Sequence, residues 1–366
     1  MRLLISGGGT GGHVYPALAV VAEIRKQENA PVEVVYVGRA GAIEAQLAQQ
    51  AGIHFQPIPA GGVRGLAPWR AARNFALVLQ SIARVREVIR AFRPAVIFAT
   101  GGYVSAPVIW SAAAERIPSV IYLPDLEPGW AVRATAMWAT RVAISFPEVG
   151  RYFSKSKAVV TGYPVRAEFF QTERARARRM FGLDPETRTV TIFGGSTGAH
   201  QINQAVVANL AELAQVAQVL HLTGRNDEAW VKSEVARVSA AAARVRVYGY
   251  LHDELPHALA AADVVVARAG AATLGEFPAL GLPAILVPYP YAGRHQERNA
   301  NFLVERGAAF KVNDAALSSA LVPTLKRLFD APEQLKAMSA AMRALAQPCA
   351  TANIVELLKT VAKERA

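Results

Sequence analysis

Short apolar runs alternate along the chain with longer alanine-rich stretches that have helical spacing. This alternation continues over the whole length and is typical of parallel strands covered by helices, so the pattern predicts an α/β protein. The predicted strands of the first half lie near residues 2–6, 32–37, 95–100, 118–122, 141–144 and 158–161, and those of the second half lie near 189–193, 217–222, 245–248, 263–267 and 284–288.

The periodic pattern stops once, at TGYPVR (161–166), where glycine and proline favour a linker. A chain of 366 residues also exceeds one ordinary hydrophobic core. We therefore expect two doubly wound, Rossmann-like domains that face a cleft, with ligands bound at the carboxyl ends of both sheets.

One uncharged stretch, residues 94–114, is long enough to suggest a membrane span. It contains Pro94, Pro107 and the pair Gly101-Gly102, which would interrupt a spanning helix. We interpret it instead as a buried strand, a glycine turn and a following helix.

Two glycine-rich turns of the same design open the two halves: MRLLISGGGTGGHVYP and TVTIFGGSTGAHQINQ. Each reads as a strand, a tight turn and a helix. Glycine permits a close approach of the backbone to a ligand, and unpaired N–H groups at a helix start attract anions. The repetition predicts one phosphate-bearing substrate in each domain.

The first turn also satisfies the dinucleotide fingerprint through Gly7, Gly9 and Gly12. That fingerprint requires an acidic residue at the end of the next strand, which ends here at Gly38 and Arg39. An NADP-dependent oxidoreductase that uses Arg39 remains an alternative, but it leaves the second glycine turn unexplained.

The most informative stretch is 267–300, which turns on Gly270 and enters a helix near Glu276. A carboxylate there either compensates the helix dipole or accepts both hydroxyls of a ribose. Downstream, His295, Gln296 and Asn299 offer the donors and acceptors that sugar hydroxyls need.

His13 follows the first glycine turn at a helix start, which favours a neutral imidazole and so a general base. A lone histidine is also often structural. The sequence has no nucleophilic triad, no histidine and cysteine cluster with metal-ligand spacing and no D-x-D pair. We expect acid–base chemistry on a hydroxyl, with no metal and no cofactor.

The formal net charge is +12, which favours anionic partners. Basic residues between Arg64 and Arg93 are interleaved with apolar ones, and Leu66 and Trp69 lie beside them. This segment is either an ordinary surface helix or a contact with an acidic membrane surface. Aromatic and basic residues do not alternate as a base-stacking surface requires, so nucleic acid is not an expected partner.

The single cysteine, Cys349, excludes an internal disulfide framework and suits a reducing compartment. The amino end does not resemble a signal peptide. We expect a cytoplasmic protein.

The motifs GGGTGGHVYPALAV, GGVRG, TGGYVSAPV, GYPVR, GGSTGAHQINQA and ARAGAATLGE…HQERNA follow one another in the order and spacing of the MurG family. These are bacterial glycosyltransferases that add N-acetylglucosamine to the undecaprenyl-linked muramyl-pentapeptide precursor of peptidoglycan. The chain resembles them over nearly its whole length. The resemblance implies the GT-B architecture and a peripheral location on the inner face of the cell membrane.

The resemblance also implies an acceptor domain at 1–162, a UDP-sugar domain at 163–345 and a carboxy-terminal segment at 346–366 that returns to the first domain. The reacting centre would lie at His13, with Asp125 as a second candidate base. The acceptor-side residues would be Thr10, Gly11, Gly12, Arg64, Gly101, Gly102 and Tyr103. The donor-side residues would be Arg166, Ser196, Leu251, Arg268, Ala271, Ala272, Thr273, Leu274, Gly275, Glu276, His295, Gln296 and Asn299.

The chain departs from the family pattern in three places. Tyr122-Leu123-Pro124-Asp125 stands where the family usually has H-E-Q-N, Tyr163 replaces an asparagine, and His200 replaces an arginine. The main expectation is an inverting transfer of N-acetylglucosamine from UDP-N-acetylglucosamine to lipid I. The alternatives are a different acceptor, such as a glycolipid or a small molecule, and a non-catalytic protein that binds sugar nucleotides.

Overall fold

The structure, a computed structural model, describes residues 1–9, 11–28, 31–59, 68–195, 198–290 and 295–364, with the backbone alone at 68–75 and 240. Three of the predicted site residues, Thr10, Arg64 and Ser196, lie outside these residues. The chain divides into two compact units, Met1–Arg166 with Pro348–Ala366, and Ala167–Gln347.

The first unit contains one parallel sheet of seven strands in the order β3-β2-β1-β4-β5-β6-β7. The strands are β1 (Arg2–Ser6), β2 (Glu33–Arg39), β3 (His54–Ile58), β4 (Val96–Ala99), β5 (Ser119–Leu123), β6 (Arg141–Ile144) and β7 (Ala158–Val160). The helices of this unit are α1 (Gly11–Gln27), α2 (Ile43–Gln50), α3 (Pro68–Phe92), α4 (Ser105–Ala114), α5 (Trp130–Ala136) and α17 (Ala350–Lys363), with a 3-10 helix at Pro147–Tyr152.

The last helix, α17, belongs to the first unit although it follows the whole second unit in sequence. Its apolar face buries Ile354, Val355, Leu358 and Val361 in the core that α1 shares with the sheet. Val14 of α1 is also fully buried in that core. Residues at helical spacing therefore join the end of the chain to its beginning.

The second unit contains a parallel sheet of six strands in the order β10-β9-β8-β11-β12-β13. The strands are β8 (Thr189–Phe193), β9 (Gln218–Leu222), β10 (Val245–Tyr248), β11 (Val264–Ala267), β12 (Ala284–Leu286) and β13 (Ala309–Lys311). The helices before β11 are α6 (Glu168–Gln171), α7 (Arg174–Met180), α8 (His200–Ala208), α9 (Leu210–Val216), α10 (Glu228–Arg237), α11 (Ser239–Arg244) and α12 (Leu255–Ala260). Those after it are α13 (Glu276–Leu280), α14 (His295–Glu305), α15 (Leu317–Phe329) and α16 (Pro332–Arg343), with 3-10 helices at Ala271–Leu274 and Asp314–Ala316.

Both sheets are doubly wound, so both units have the α/β, Rossmann-like fold that the sequence predicts. The strand order reverses between β1 and β4 in the first unit and between β8 and β11 in the second. In open parallel sheets, ligands bind at the carboxyl ends of strands beside such a reversal. Each glycine-rich turn follows a strand at one of these positions.

The uncharged segment 94–114 forms β4, a glycine turn and α4, as predicted. Among the helices that the structure describes, none has the length and hydropathy needed to cross a membrane.

Candidate functional site

The first glycine turn packs against a second turn of the same unit. The Gly8 N–H donates to the carbonyl oxygen of Gly101 over 3.3 Å. A Cβ atom on Gly102, whose φ is +82°, would come within 2.4 Å of the Gly8 carbonyl oxygen. Only glycine allows this approach, so the turns after β1 and β4 lie backbone to backbone at the strand-order reversal.

His13 is fixed by the residue that ends β4. Its Nδ1 lies 2.7 Å from the Thr100 carbonyl oxygen, and the Thr100 hydroxyl donates to the His13 carbonyl oxygen over 2.6 Å. A carbonyl oxygen can only accept, so Nδ1 carries the proton and the neutral ring keeps its lone pair on Nε2. This is the tautomer that a general base requires.

The glycine after Thr100 is part of the same arrangement. A Cβ atom on Gly101 would lie 2.9 Å from the His13 Nδ1 and Cε1 atoms. The imidazole therefore rests directly on the backbone of the second turn. Tyr103, two residues further on, is 64% exposed and directs a phenol toward solvent at this edge.

Glu44 supports the first glycine turn, a role that the sequence does not predict. Its carboxylate, 1% exposed, accepts from the Arg39 N–H over 3.2 Å and from the Gly9 N–H over 3.5 Å. A carboxylate therefore does lie at the end of β2, supplied five residues later by α2. It is enclosed beneath Gly8, where a Cβ would lie 2.4 Å from Oε1, so it holds the glycine turn and is shielded from a ribose.

Asp125 follows β5, which is two strands away from β1 in the sheet. Because the strands are parallel, Asp125 and the glycine turn that precedes His13 lie at the same carboxyl edge of the sheet. The Asp125 side chain is half-buried. Burial raises the pKa of Tyr122 well above its ordinary value of 10.0, and the charge of Asp125 adds to this effect.

Two residues placed in the donor domain by the sequence, Tyr163 and Arg166, belong to the first unit of the structure. Tyr163 is buried there. The Arg166 guanidinium lies 5.0 Å from the centre of the Tyr15 ring on α1. A contact between Arg166 and the nucleotide stays a prediction.

The second glycine turn resembles the first in its geometry. Gly195 and Gly198 have φ values of +92° and +77°. A Cβ on Gly198 would lie 2.4 Å from the Thr223 carbonyl oxygen. The turn after β8 is thus pressed against the backbone that follows β9, immediately before α8.

A network of hydrogen-bonded polar side chains lies beside the second glycine turn. The amide of Asn203, fully buried, donates to the Thr223 carbonyl oxygen over 2.8 Å and to Asp227 Oδ2 over 2.7 Å. His221 Nε2 lies 2.9 Å from Asn203 Oδ1, and burial lowers the pKa of this histidine to about 3. The exposed His200, one of the three departures from the family, pairs with Asp227 at 2.9 Å.

Glu276 is the first residue of α13, after the strand β11 and the 3-10 helix. It is 7% exposed. The Thr273 hydroxyl donates to the Gly270 carbonyl oxygen over 2.8 Å, and the Asn299 amide donates to the Ala269 carbonyl oxygen over 3.1 Å. Thr273 and Asn299, both predicted to bind the donor, therefore hold in place the loop that precedes Glu276.

The other predicted donor residues of the second unit lie, like Glu276, at the carboxyl edge of the second sheet. Gln296 Oε1 accepts from the Tyr289 N–H over 2.9 Å. His295 Nδ1 is buried, with no hydrogen-bond partner among the residues that the structure describes. The half-buried Leu251 follows β10 and packs on the core cluster behind it. The buried Arg268 pairs with Asp314 and donates to the Val287 carbonyl oxygen, which favours a structural role for its charge.

Ala271, Ala272, Leu274 and Gly275 form the backbone between Gly270 and Glu276, and Gly11 and Gly12 form the first turn of α1. Within the described ranges, no group of three histidine, cysteine, aspartate or glutamate residues is arranged to hold a metal ion.

Two family models match the chain. The glycosyltransferase family 28 N-terminal domain matches residues 3–144, and the family 28 C-terminal domain matches residues 189–354. Two doubly wound units with these matches define a two-domain glycosyltransferase of the GT-B class. The chain belongs to glycosyltransferase family 28.

Relatives match it from end to end. A Roseiflexus protein is 38% identical, covering 100% of this chain and 96% of its own, and a Desulforamulus reducens protein is 38% identical, covering 99% of each. Both are named UDP-N-acetylglucosamine–N-acetylmuramyl-(pentapeptide) pyrophosphoryl-undecaprenol N-acetylglucosamine transferase.

Two solved structures are similar to the chain over nearly its whole length. The crystal structure of Acinetobacter baumannii MurG has a TM-score of 0.73 at 25% identity, covering 98% of this chain and 99% of its own. A UDP-GlcNAc 2-epimerase from Neisseria meningitidis has a TM-score of 0.72 at 13% identity, covering 98% of this chain and 100% of its own, and shows a likeness of fold.

Proposed function

We propose that this enzyme transfers N-acetylglucosamine from UDP-N-acetylglucosamine to the undecaprenyl-pyrophosphoryl-N-acetylmuramyl-pentapeptide, converting lipid I to lipid II. The names and full-length coverage of the relatives support this reaction. The observation that carries it is His13, whose Nδ1 bond to Thr100 leaves Nε2 as a base at the strand-order reversal.

In the proposed reaction, the acceptor hydroxyl oxygen attacks the anomeric carbon of N-acetylglucosamine, and His13 Nε2 takes the hydroxyl proton. The attack comes from the face opposite to the bond between the anomeric carbon and the UDP oxygen; this bond breaks and UDP leaves, so the configuration inverts. General-base catalysis of this kind contributes about 10²- to 10⁴-fold to a rate. Asp125, on the same edge, is the second candidate for the base.

We place the donor on the second unit. Glu276 accepts the ribose hydroxyls, the turn that contains Ser196 meets the diphosphate, and the backbone of Leu251 holds the uracil. His295 supports a polar contact with the sugar because a buried, unpartnered imidazole nitrogen is costly unless a ligand satisfies it. Helix N-termini offer the diphosphate charge stabilisation without a metal.

We place the lipid-linked acceptor on the first unit, together with a contact to an anionic membrane surface. Trp130, Met137 and Trp138, at the two ends of α5, are 71%, 71% and 56% exposed. The Lys157 ammonium lies 2.6 Å from the Met137 carbonyl oxygen, so a cation accompanies the apolar side chains. On α3, the exposed Leu79 and Arg84 have the same mixed character. Such surfaces suit the headgroup layer.

Calorimetry with UDP, ADP and NADPH tests the donor assignment. We expect UDP to bind most tightly, and tighter binding of NADPH would contradict the assignment as a UDP-sugar transferase.

Co-sedimentation tests the membrane contact. The double variant Trp130→Ala, Trp138→Ala should show reduced binding to vesicles that contain phosphatidylglycerol. Neutral phosphatidylcholine vesicles are the control, and unchanged binding of the double variant would exclude this surface.

The departure at Asp125 supports a second candidate, in which the same donor chemistry serves a different acceptor, such as a glycolipid or a small molecule. That enzyme would bind or hydrolyse UDP-N-acetylglucosamine normally and transfer poorly to a lipid I analogue.

A further inference from the structure

A cluster of arginines lies at the edge of the second sheet that the proposed reaction does not use. Asp263 immediately precedes β11, Arg188 immediately precedes β8, and Pro283 immediately precedes β12. Because the strands of this sheet are parallel, these residues lie at its amino edge, opposite the glycine turn and Glu276. The cluster is therefore separate from the donor site.

Among the described side chains that line a cavity at this edge, Asp263 is the only carboxylate. Its buried side chain accepts from the buried Arg178 over 2.8 Å and from the Thr189 N–H over 2.8 Å through Oδ2. Oδ1 accepts from Arg174 over 3.1 Å, and the Arg188 guanidinium lies 3.9 Å away. One acid thus faces three guanidinium groups.

A fourth guanidinium, that of Arg343 on α16, completes the cluster. Burial lowers the pKa of Arg174, and the charges of Arg178, Arg188 and Arg343 lower it further while Asp263 opposes them. The nearby Lys336 is paired with Glu333 at 2.8 Å. The single aspartate leaves most of the guanidinium charge uncompensated.

The arginines of the cluster differ in how many of their N–H groups are already hydrogen-bonded within the protein. Arg178 is held on all sides, by Asp263 and by the carbonyl oxygens of Ala261 and Pro185. The exposed Arg343 donates to the Leu280 carbonyl oxygen over 3.3 Å. Arg188 makes the long ion pair with Asp263, and its guanidinium lies 6.0 Å from the centre of the Phe329 ring. Their remaining N–H groups border a cavity of about 460 Å³ that Ser339 also lines.

We propose that this cavity is a second anion site that binds a phosphate-bearing ligand with at least two negative charges. Guanidinium groups match phosphate oxygens in pairs, and the four guanidinium groups around one carboxylate leave an excess of positive charge that a multiply charged anion would balance. Arg188 and Arg343 bind the ligand, whereas Arg174 and Arg178 position Asp263 and the cavity floor. The proposal does not depend on the identity of the transferase acceptor.

Calorimetry with inorganic pyrophosphate tests the proposal, after the donor site has been filled with one molar equivalent of UDP so that no excess of UDP competes for the second site. The wild-type protein should bind pyrophosphate, and Arg188→Ala and Arg343→Ala should each weaken binding about tenfold or more, because each removes charge-assisted hydrogen bonds. Arg237→Ala is the matched control, since this exposed arginine pairs with Glu234 on α10. The control should bind as the wild type does.

Two readouts keep the result interpretable. All variants should retain the wild-type affinity for UDP, because the cluster lies at the opposite edge of the sheet, and their melting temperatures show whether each variant is folded. Co-sedimentation with vesicles that contain phosphatidate, whose phosphomonoester headgroup can carry two charges, identifies the source of the phosphate. Weaker sedimentation of the two variants assigns it to a lipid headgroup, and unchanged sedimentation with lost pyrophosphate binding assigns it to a free ligand. If neither pyrophosphate nor vesicle binding depends on Arg188 and Arg343, the proposal is overturned.

Discussion

Tyr122 and Tyr163 pack edge to face, with ring centroids 6.1 Å apart and planes at 78°. Both are departures from the family pattern, and both are buried. The two side chains therefore pack on one another in the core of the first unit. Tyr122, at the start of the altered motif Tyr122–Asp125, is buried in the core. Asp125, at its end, is half-buried at the carboxyl edge of the first sheet.

The Tyr122 hydroxyl lies 2.8 Å from the Ser145 hydroxyl. We predict that Tyr122→Phe lowers the free energy of unfolding by about 1 kcal/mol, because one buried hydrogen bond is lost. Turnover should remain close to that of the wild type. Urea unfolding measures the first effect, and Tyr103→Phe, at an exposed position, is the control. A variant with full stability and lost turnover would show that Tyr122 acts on the substrate.

We predict that His13→Asn lowers the turnover number about 10²- to 10⁴-fold, because an amide retains a donor for Thr100 but supplies no base. The affinity for UDP should not change. The rate profile of the wild type should fall at acidic pH as the base becomes protonated, and this limb should disappear in the variant. If Asp125→Asn removes the acidic limb instead, Asp125 is the base.

We predict that Glu276→Ala weakens UDP binding by about 1 to 3 kcal/mol, because the ribose hydroxyls lose a charged acceptor. Binding of 2′,3′-dideoxyuridine diphosphate should be nearly unaffected by the same substitution. Glu212→Gln, at an exposed position of α9, controls for the change in charge. Equal losses for both nucleotides would show that Glu276 only stabilises the loop.

We predict that the free energy of unfolding decreases as the pH is lowered, and that His221 is a cause of this decrease. Its pKa is about 3 in the folded protein and 6.5 in the unfolded chain. Below pH 6.5 the unfolded state gains a proton that the folded state does not, so stability is complete above this value and is lost toward pH 3. The slope approaches about 1.4 kcal/mol per pH unit.

Unfolding experiments between pH 7 and 4 measure that slope. His221→Gln keeps a donor for Asn203 and should flatten it, whereas His54→Gln, at an exposed position of β3, should leave it unchanged. An unaltered slope in His221→Gln would assign the acid sensitivity to other groups.

The sequence predicts the strands that carry long buried apolar runs, and it misses β3 and β13. Both lie at sheet edges, where HFQPI and AFK are only partly buried and lack a clear apolar pattern. Glu44 escaped prediction for another reason: its carboxylate reaches the glycine turn only through the geometry of α2. The tautomer of His13 also depends on a contact with Thr100 that no spacing in the sequence reveals.

The decisive measurement is the transfer of N-acetylglucosamine from UDP-N-acetylglucosamine to a lipid I analogue in the presence of EDTA. We expect a rate well above the hydrolysis of the donor, formation of the β-linked product, and a fall toward background in His13→Asn. A rate with lipid I no higher than hydrolysis, with UDP binding intact, would contradict the proposed acceptor. Turnover that is lost in EDTA and restored by Mg²⁺ would contradict the metal-independent mechanism.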